Sequence, residues 1–257
     1  MSRRASLMTG YILYQSIAKR QAHLLFVVLL FALFPASSSP TQNTVAPHAK
    51  VKNPLWDFGY LPQKSAVSVD FYIYNIGSAP LTVRKIESGC SCTSISRIEH
   101  PLQPGDSAAI TVTFKSGRYR GMVKKTTKVY TDDPDNEVLE LIITAYILKR
   151  DEESKYIRVT PPILNWKLEN DRLILQDSTL DILNISPDTV SVNLLSWPGN
   201  ILPPEELPSR LAPHEKRELK LRLDSKSAVP SKDEIFWIAL SFAAEDTIKI
   251  SVPVKLK

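Results

Sequence analysis

The chain has 257 residues, 43% of them hydrophobic and 23% charged, which excludes a disordered chain and allows one large domain or two smaller ones. Nineteen prolines against eight glycines, set among many short β-branched runs, favour strands and turns over long helices. The formal net charge of +5 gives no case for a nucleic-acid partner: Arg3, Arg4, Lys19 and Arg20 precede residue 38, no acid does, and 28 bases face 27 acids beyond them.

Residues 1–39 read as a signal peptide or signal anchor. A basic stretch ends at Lys19-Arg20, Leu24 to Phe34 is an unbroken apolar core, Pro35 breaks it, and Ala36-Ser37-Ser38 supplies the small residues a signal peptidase reads. That core falls short of the roughly 20 apolar residues a spanning helix needs. The expectation is therefore export to the periplasm or cell surface, with membrane attachment only through an uncleaved segment. Export places the two cysteines in an oxidising compartment.

Residues 40–53 are polar and aperiodic and read as a flexible lead-in. The first domain is expected over 54–148. Leu55 to Phe58 precedes a turn at Gly59, and Val67, Val69, Phe71 and Ile73 then alternate with polar positions as in a half-buried strand. Asn75 to Pro80 is a turn cluster, Leu81, Val83 and Ile86 continue as a strand, and Gly89-Cys90-Ser91-Cys92-Thr93 follows. Ile110, Val112 and Phe114 mark the next inward face, followed by Val123 to Thr131, a polar turn at Asp132 to Asn136, and Val138 to Ile147. Short strands at this spacing describe an immunoglobulin-like β-sandwich.

The charged run Lys149 to Lys155 reads as part of a solvated linker over 149–156, with a second domain over 157–257. That domain repeats the first. At an offset of 109 residues Asn75-Ile76 matches Asn184-Ile185, Leu81 and Val83 fall on Val190 and Val192, and Leu102 and Pro104 fall on Leu211 and Pro213. Pro54-Leu55 and Phe58 match Pro162-Ile163 and Trp166 one residue out of step. The fold expected is all-β: two tandem immunoglobulin-like sandwiches after an N-terminal signal segment. Gly89-Cys90-Ser91-Cys92 falls on Pro198-Gly199-Asn200-Ile201, so the second copy lacks both thiols. The sandwich itself does not require the cysteines.

Phe58-Gly59, Phe71, Asn75-Ile76-Gly77, Leu81-Thr82-Val83, Cys90-Ser91-Cys92-Thr93 and Pro104-Gly105 together resemble a bacterial exported immunoglobulin-like family, domain-of-unknown-function family 1573. The resemblance covers roughly residues 54 to 147, the first domain alone, and Cys-x-Cys-Thr is its most specific part. In the family the glycine lies between the cysteines; here Gly89 precedes them and Ser91 lies between. The resemblance implies an exported module of the cell envelope and brings no established activity. More distantly, the domain is similar to sandwich modules of the major sperm protein and cilia-associated type, which are interaction scaffolds.

Cys90 and Cys92 are the disulfide or metal candidates. In an extended strand their side chains share a face with Cα atoms about 7 Å apart, so a bridge needs a bend. Three readings stand side by side: a structural pair, a redox disulfide, or two thiolates for a soft ion such as Cu(I) or Zn with His100 as the nearest third ligand. Arg118, Arg120, Lys124, Lys125 and Lys128 form a basic cluster across a hairpin, able to grip an anionic polymer or to serve as a soluble sheet edge. Asp132 to Asn136 carries oxygen ligands suited to calcium, yet lacks the glycine and distal glutamate of an EF-hand loop and reads first as a plain turn. Ile201 to Pro208 is the longest insert in the second copy, with room for one helical turn, and Trp166, Trp197 and Trp237 read as core residues.

No Gly-x-Ser-x-Gly elbow, His-Glu-x-x-His or phosphate-cradling glycine loop occurs in the sequence. The function expected is a non-catalytic interaction scaffold of the bacterial cell envelope, without a cofactor, whose partner is another envelope protein or a surface polymer. The alternative is a thiol-based metal-binding or redox protein acting through Cys90 and Cys92.

Overall fold

The computed structural model describes residues 45–257 apart from 90, 91, 150, 151, 171, 225, 229 and 232. The signal segment 1–39 and Cys90 lie outside the described residues.

Among the described residues, eight strands build the first half: β1 (Ala49–Val51), β2 (Leu55–Pro62), β3 (Ala66–Asn75), β4 (Val83–Ser88), β5 (Thr93–Ile95), β6 (Ser107–Lys115), β7 (Gly121–Thr131) and β8 (Val138–Leu148). One sheet runs β1-β3-β6-β5; facing it, β2, β8, β7 and β4 lie side by side. The alternation read from sequence places apolar residues directly opposite one another, with Val67 against Phe114, Val69 against Val112 and Phe71 against Ile110. Their side chains fill the space between the sheets together with Leu141, Ala145 and Ile147 of β8. The lead-in is shorter than expected: β1 pairs Ala49 with Asn75, so backbone hydrogen bonding to β3 orders this polar segment despite its lack of period.

The second half carries β9 (Ile157–Thr160), β10 (Leu164–Glu169), β11 (Arg172–Leu175), β12 (Thr179–Asn184), β13 (Val190–Ser196), β14 (Ile201–Leu202), β15 (Arg210–Leu211), β16 (Lys216–Lys220), β17 (Arg222–Leu223), β18 (Trp237–Ala243) and β19 (Thr247–Leu256). Strands β16-β12-β9 form one layer, and β15-β13-β18-β19 the other, with β10 running parallel to β19. The stretch 201–208 holds β14 and irregular chain, not the helical turn for which its length left room.

The same hydrogen-bonded corner is built twice. Asn75 Nδ2 donates to the carbonyls of Ala79 and Leu102, both at 2.8 Å, and its Oδ1 accepts from Gly77 N at 3.0 Å. Asn184 Nδ2 donates to Asp188 O at 2.7 Å and Leu211 O at 3.2 Å, and its Oδ1 accepts from Ser186 N at 3.0 Å. Every partner is displaced by 109 residues. Strand register follows suit, Ile73 facing Ala108 as Ile182 faces Arg217. Both asparagines are fully buried, so each amide must find all its partners within the protein.

A shared seam fuses the halves. Tyr60 of β2 pairs in parallel with Ile250 of β19, which joins the two larger layers into one ten-stranded sheet. Trp237 of β18 packs in the first half's core, edge-on to Phe58 at 5.1 Å and to Trp56 at 6.1 Å. Ser251 Oγ donates to Phe58 O at 2.7 Å. Gly59 has φ +66, and a Cβ there would meet Lys249 O at 2.1 Å, so the close approach of β2 and β19 requires glycine. Residues Val45–Lys257 accordingly form one compact unit. The segment 149–156 is no solvated tether in its described part: Ser154 and Tyr156 are buried, and Glu152 accepts from Lys149 N at 3.1 Å and Tyr146 OH at 2.9 Å.

Candidate functional site

Gly89 and Cys92 flank the point at which the chain passes from one sheet to the other. β4 belongs to the ten-stranded sheet and β5 to the four-stranded one. Gly89 N donates to Thr126 O at 3.2 Å, the last tie to β7; Cys92 O then accepts from Lys115 N at 2.9 Å, the first tie toward β6. Cys92 is disulfide-bonded and packs, partly buried, on the first core. The chain's other cysteine is Cys90. A bridged sulfur is not a thiolate, so the soft-metal reading does not describe this state. His100 lies exposed in the loop ahead of the isolated bridge between Leu81 and Leu102. Gly89 is outside the left-handed region, and a Cβ there would stand 3.2 Å from Thr126 O.

The second half makes the equivalent crossover without sulfur. Trp197 Nε1 donates to Ile201 O at 2.8 Å, and Ile201 occupies the place of Cys92. An indole hydrogen bond braces the bend there.

The basic cluster is dispersed. β7 lies inside the sheet between β4 and β8, which corrects the edge-strand reading of its lysines. Lys128 sits opposite Glu87 on one side and Glu140 on the other, so acids flank it across the strands. Lys85 pairs with Glu87, whose carboxyl is held below its ordinary range by the hydrogen bond from Lys85 and that from Tyr130 OH. Lys125 Nζ turns to Tyr119 OH at 3.2 Å and lies 4.5 Å from that ring centroid. Arg118, Arg120 and Lys124 are left exposed.

Sequence reasoning found the acidic turn but missed its partner. Asp133 is fully buried. Its Oδ2 accepts from Ala49 N at 2.7 Å and Asn136 Nδ2 at 3.1 Å, and its Oδ1 accepts from Asp135 N at 2.9 Å. His48 Nδ1 stands 3.3 Å from Asp133 Oδ1 and 3.6 Å from Asp135 Oδ2. Burial pushes the Asp133 carboxyl up, but its hydrogen bonds outweigh burial and hold it below the usual range. No local signal links residue 48 to residue 133; the hydrogen bond from Ala49 N to Asp133 Oδ2 joins the two segments.

A cleft of about 770 Å³ lies beside the seam, with Tyr60, Lys64, Lys149, Arg158 and Ile250 among its walls. It mixes both signs of charge with apolar surface.

The fold defines an all-β, immunoglobulin-like sandwich protein. Residues 49–147 match the family described as "Protein of unknown function (DUF1573)", the family that the motifs resemble. No curated protein matches the chain significantly. Among solved structures, a PapD-like domain of human CEP192 aligns at 11% identity over 46% of this chain and 97% of its own, with a TM-score of 0.36. A Porphyromonas gingivalis protein of unknown function aligns at 13% identity over 81% of this chain and 99% of its own, with a TM-score of 0.32. The Escherichia coli chaperone DraB aligns at 11% identity over 82% of this chain and 97% of its own, with a TM-score of 0.31. These likenesses are of chain course and bear on no activity.

Proposed function

We propose that the protein is an exported, non-catalytic interaction scaffold of the bacterial cell envelope, periplasmic or at the cell surface. The observation that carries this reading is the shared seam. Two sandwiches in which Trp237 of the second packs in the core of the first, and which continue one sheet, hold distant surfaces in fixed relation. A rigid framework loses little conformational freedom when a partner docks. The partner is another envelope protein or a surface polymer. β4 is the preferred place for a protein partner, because it is the terminal strand of the ten-stranded sheet and one of the longer strands at any sheet end. The disulfide-bonded Cys92 follows its far end. The register shift between Val83 and Lys85 and the charges of Lys85 and Glu87 guard against indiscriminate pairing.

The test is a photo-crosslinking residue at Arg84 in the exporting cell, with a second at Glu218 of β16 as control. One discrete adduct from position 84, lost in Arg84→Pro with the fold retained, is the expected result. Equal adduct patterns from both positions defeat the edge assignment. Fractionation and N-terminal sequencing of the mature chain check export, which requires cleavage near residue 38 or retention in the membrane.

A second reading is thiol-based redox or metal chemistry at Cys90 and Cys92, and the bridged state of Cys92 favours its redox form. Intact mass and thiol titration of protein purified without reductant, with metal analysis on the same sample, separate the readings. A two-proton mass deficit without metal supports the bridge. Free thiols with copper or zinc support thiolate ligation.

A further inference from the structure

We propose that His48, Asp133 and Asp135 form a binding site for a divalent transition cation of the zinc class. The three ligand atoms lie within 4.8 Å of one another. Their separations from His48 Nδ1, 3.3 and 3.6 Å, bracket the edge of about 3.4 Å expected of a tetrahedron with metal–ligand bonds near 2.1 Å. One imidazole nitrogen with two carboxylate oxygens is a borderline donor set, suited to zinc rather than to calcium or magnesium, which take oxygen alone.

The carboxylate of Asp133 is prepared for this role. A carboxylate offers about four acceptor positions. Ala49 N, Asn136 Nδ2 and Asp135 N each donate to it, the Asn136 backbone adds to them, and Oδ1 stands 3.3 Å from His48 Nδ1. His48 is fixed in turn by its own carbonyl, which accepts from Ile76 N at 2.8 Å. Asp135 and His48 form the open side of the site, leaving space for water or a ligand from a partner.

The second half supplies an independent argument, because its equivalent corner carries its own cation. Tyr156 stands where His48 does, its carbonyl accepting from Ile185 N at 2.8 Å. The matching turn between β18 and β19 contributes Asp246, which pairs with Lys155 Nζ at 3.0 Å, and that ammonium lies 4.7 Å from the Tyr156 ring centroid. One step before His48, in the place of Lys155, the first half has Pro47. One half thus meets a single carboxylate with a built-in ammonium. The other gathers two carboxylates around an imidazole without a lysine, and a bound dication completes the balance of charge.

The test is titration of the full, tag-free chain, oxidised and metal-stripped, with Zn²⁺ by calorimetry and with Co²⁺ by visible absorption. One equivalent of Zn²⁺ and tetrahedral Co²⁺ bands are expected, both abolished by His48→Ala and by Asp135→Asn, whose side chains hold no strand in place. Asn136→Ala, which frees one donor from Asp133, is expected to weaken binding about tenfold. Cys92→Ser is expected to leave the stoichiometry intact. Binding that survives His48→Ala, binding lost on Cys92→Ser, equal binding of Ca²⁺ without a nitrogen ligand, or no binding at neutral pH would each overturn the assignment.

Discussion

The two halves build the same sandwich and finish it differently. Both use a buried asparagine to close the corner after their second long strand, with partners 109 residues apart. Both cross between sheets at the equivalent point. The first braces that crossing with a disulfide-bonded Cys92, the second with the hydrogen bond from Trp197 to Ile201. Satisfying the buried corner is common to both copies, so it belongs to the fold. The brace is interchangeable, so sulfur at the crossover answers a need of the first half alone.

The comparison breaks most severely at the seam, where the halves stop being separable. Trp237→Ala should cost about 3–5 kcal/mol, because a buried indole leaves both a cavity and an unfilled contact with Phe58 and Trp56. Urea unfolding checks the size, and fluorescence from each half shows whether the two still unfold together. Gly59→Ala should cost about 1–3 kcal/mol from its positive φ alone, with the clash against Lys249 O added. The same urea experiment is expected to split into two transitions as the halves part. A single unshifted transition would show that the seam is not the coupling.

Removing the shared corner tests the likeness of the halves. Asn75→Ala and Asn184→Ala should each cost about 2–3 kcal/mol, since buried carbonyls lose their donor in both. A twofold difference between them would mean that the second corner is not the first's equivalent. The braces come next. Trp197→Phe, which keeps the ring and deletes one hydrogen bond, should cost about 1 kcal/mol by the same denaturation measurement. Reducing the disulfide in the first half should cost about 1–2 kcal/mol, because so short a loop constrains the unfolded chain weakly.

The smallest effect concerns acid. Hydrogen bonds from Lys149 N, first, and Tyr146 OH hold the Glu152 carboxyl below its ordinary range. A carboxyl that is more acidic folded than unfolded contributes stability above its unfolded value and loses it as pH falls through the folded one. Glu152→Gln should therefore flatten the fall in urea midpoint on the acid side and leave its slope near neutrality unchanged.

Much of the fold was legible because it is written locally. Period-2 alternation marked β3 and β6, the turn clusters separated the strands, and the 109-residue offset matched the two corners. Gly59 reads as a turn, yet it lies within β2 against Lys249 of β19, since no local pattern records what packs against a glycine. Trp237 was read correctly as core but belongs to the core of the other half. The basic cluster reads as one patch across a hairpin, yet acids on both neighbouring strands flank Lys128, which contiguity in sequence hides.

Composition, alternation and turn residues determined by themselves an all-β chain with a repeated sandwich pattern, because side-chain direction along a strand depends only on near neighbours. They also marked the cysteine pair as particular to the first copy. Tertiary structure alone decided that Cys92 follows a sheet crossover, that Trp237 of the second half packs in the first half's core, and that His48 meets Asp133 and Asp135. Those are contacts between segments far apart in sequence, set by strand pairing and packing rather than by any pattern within the segments themselves.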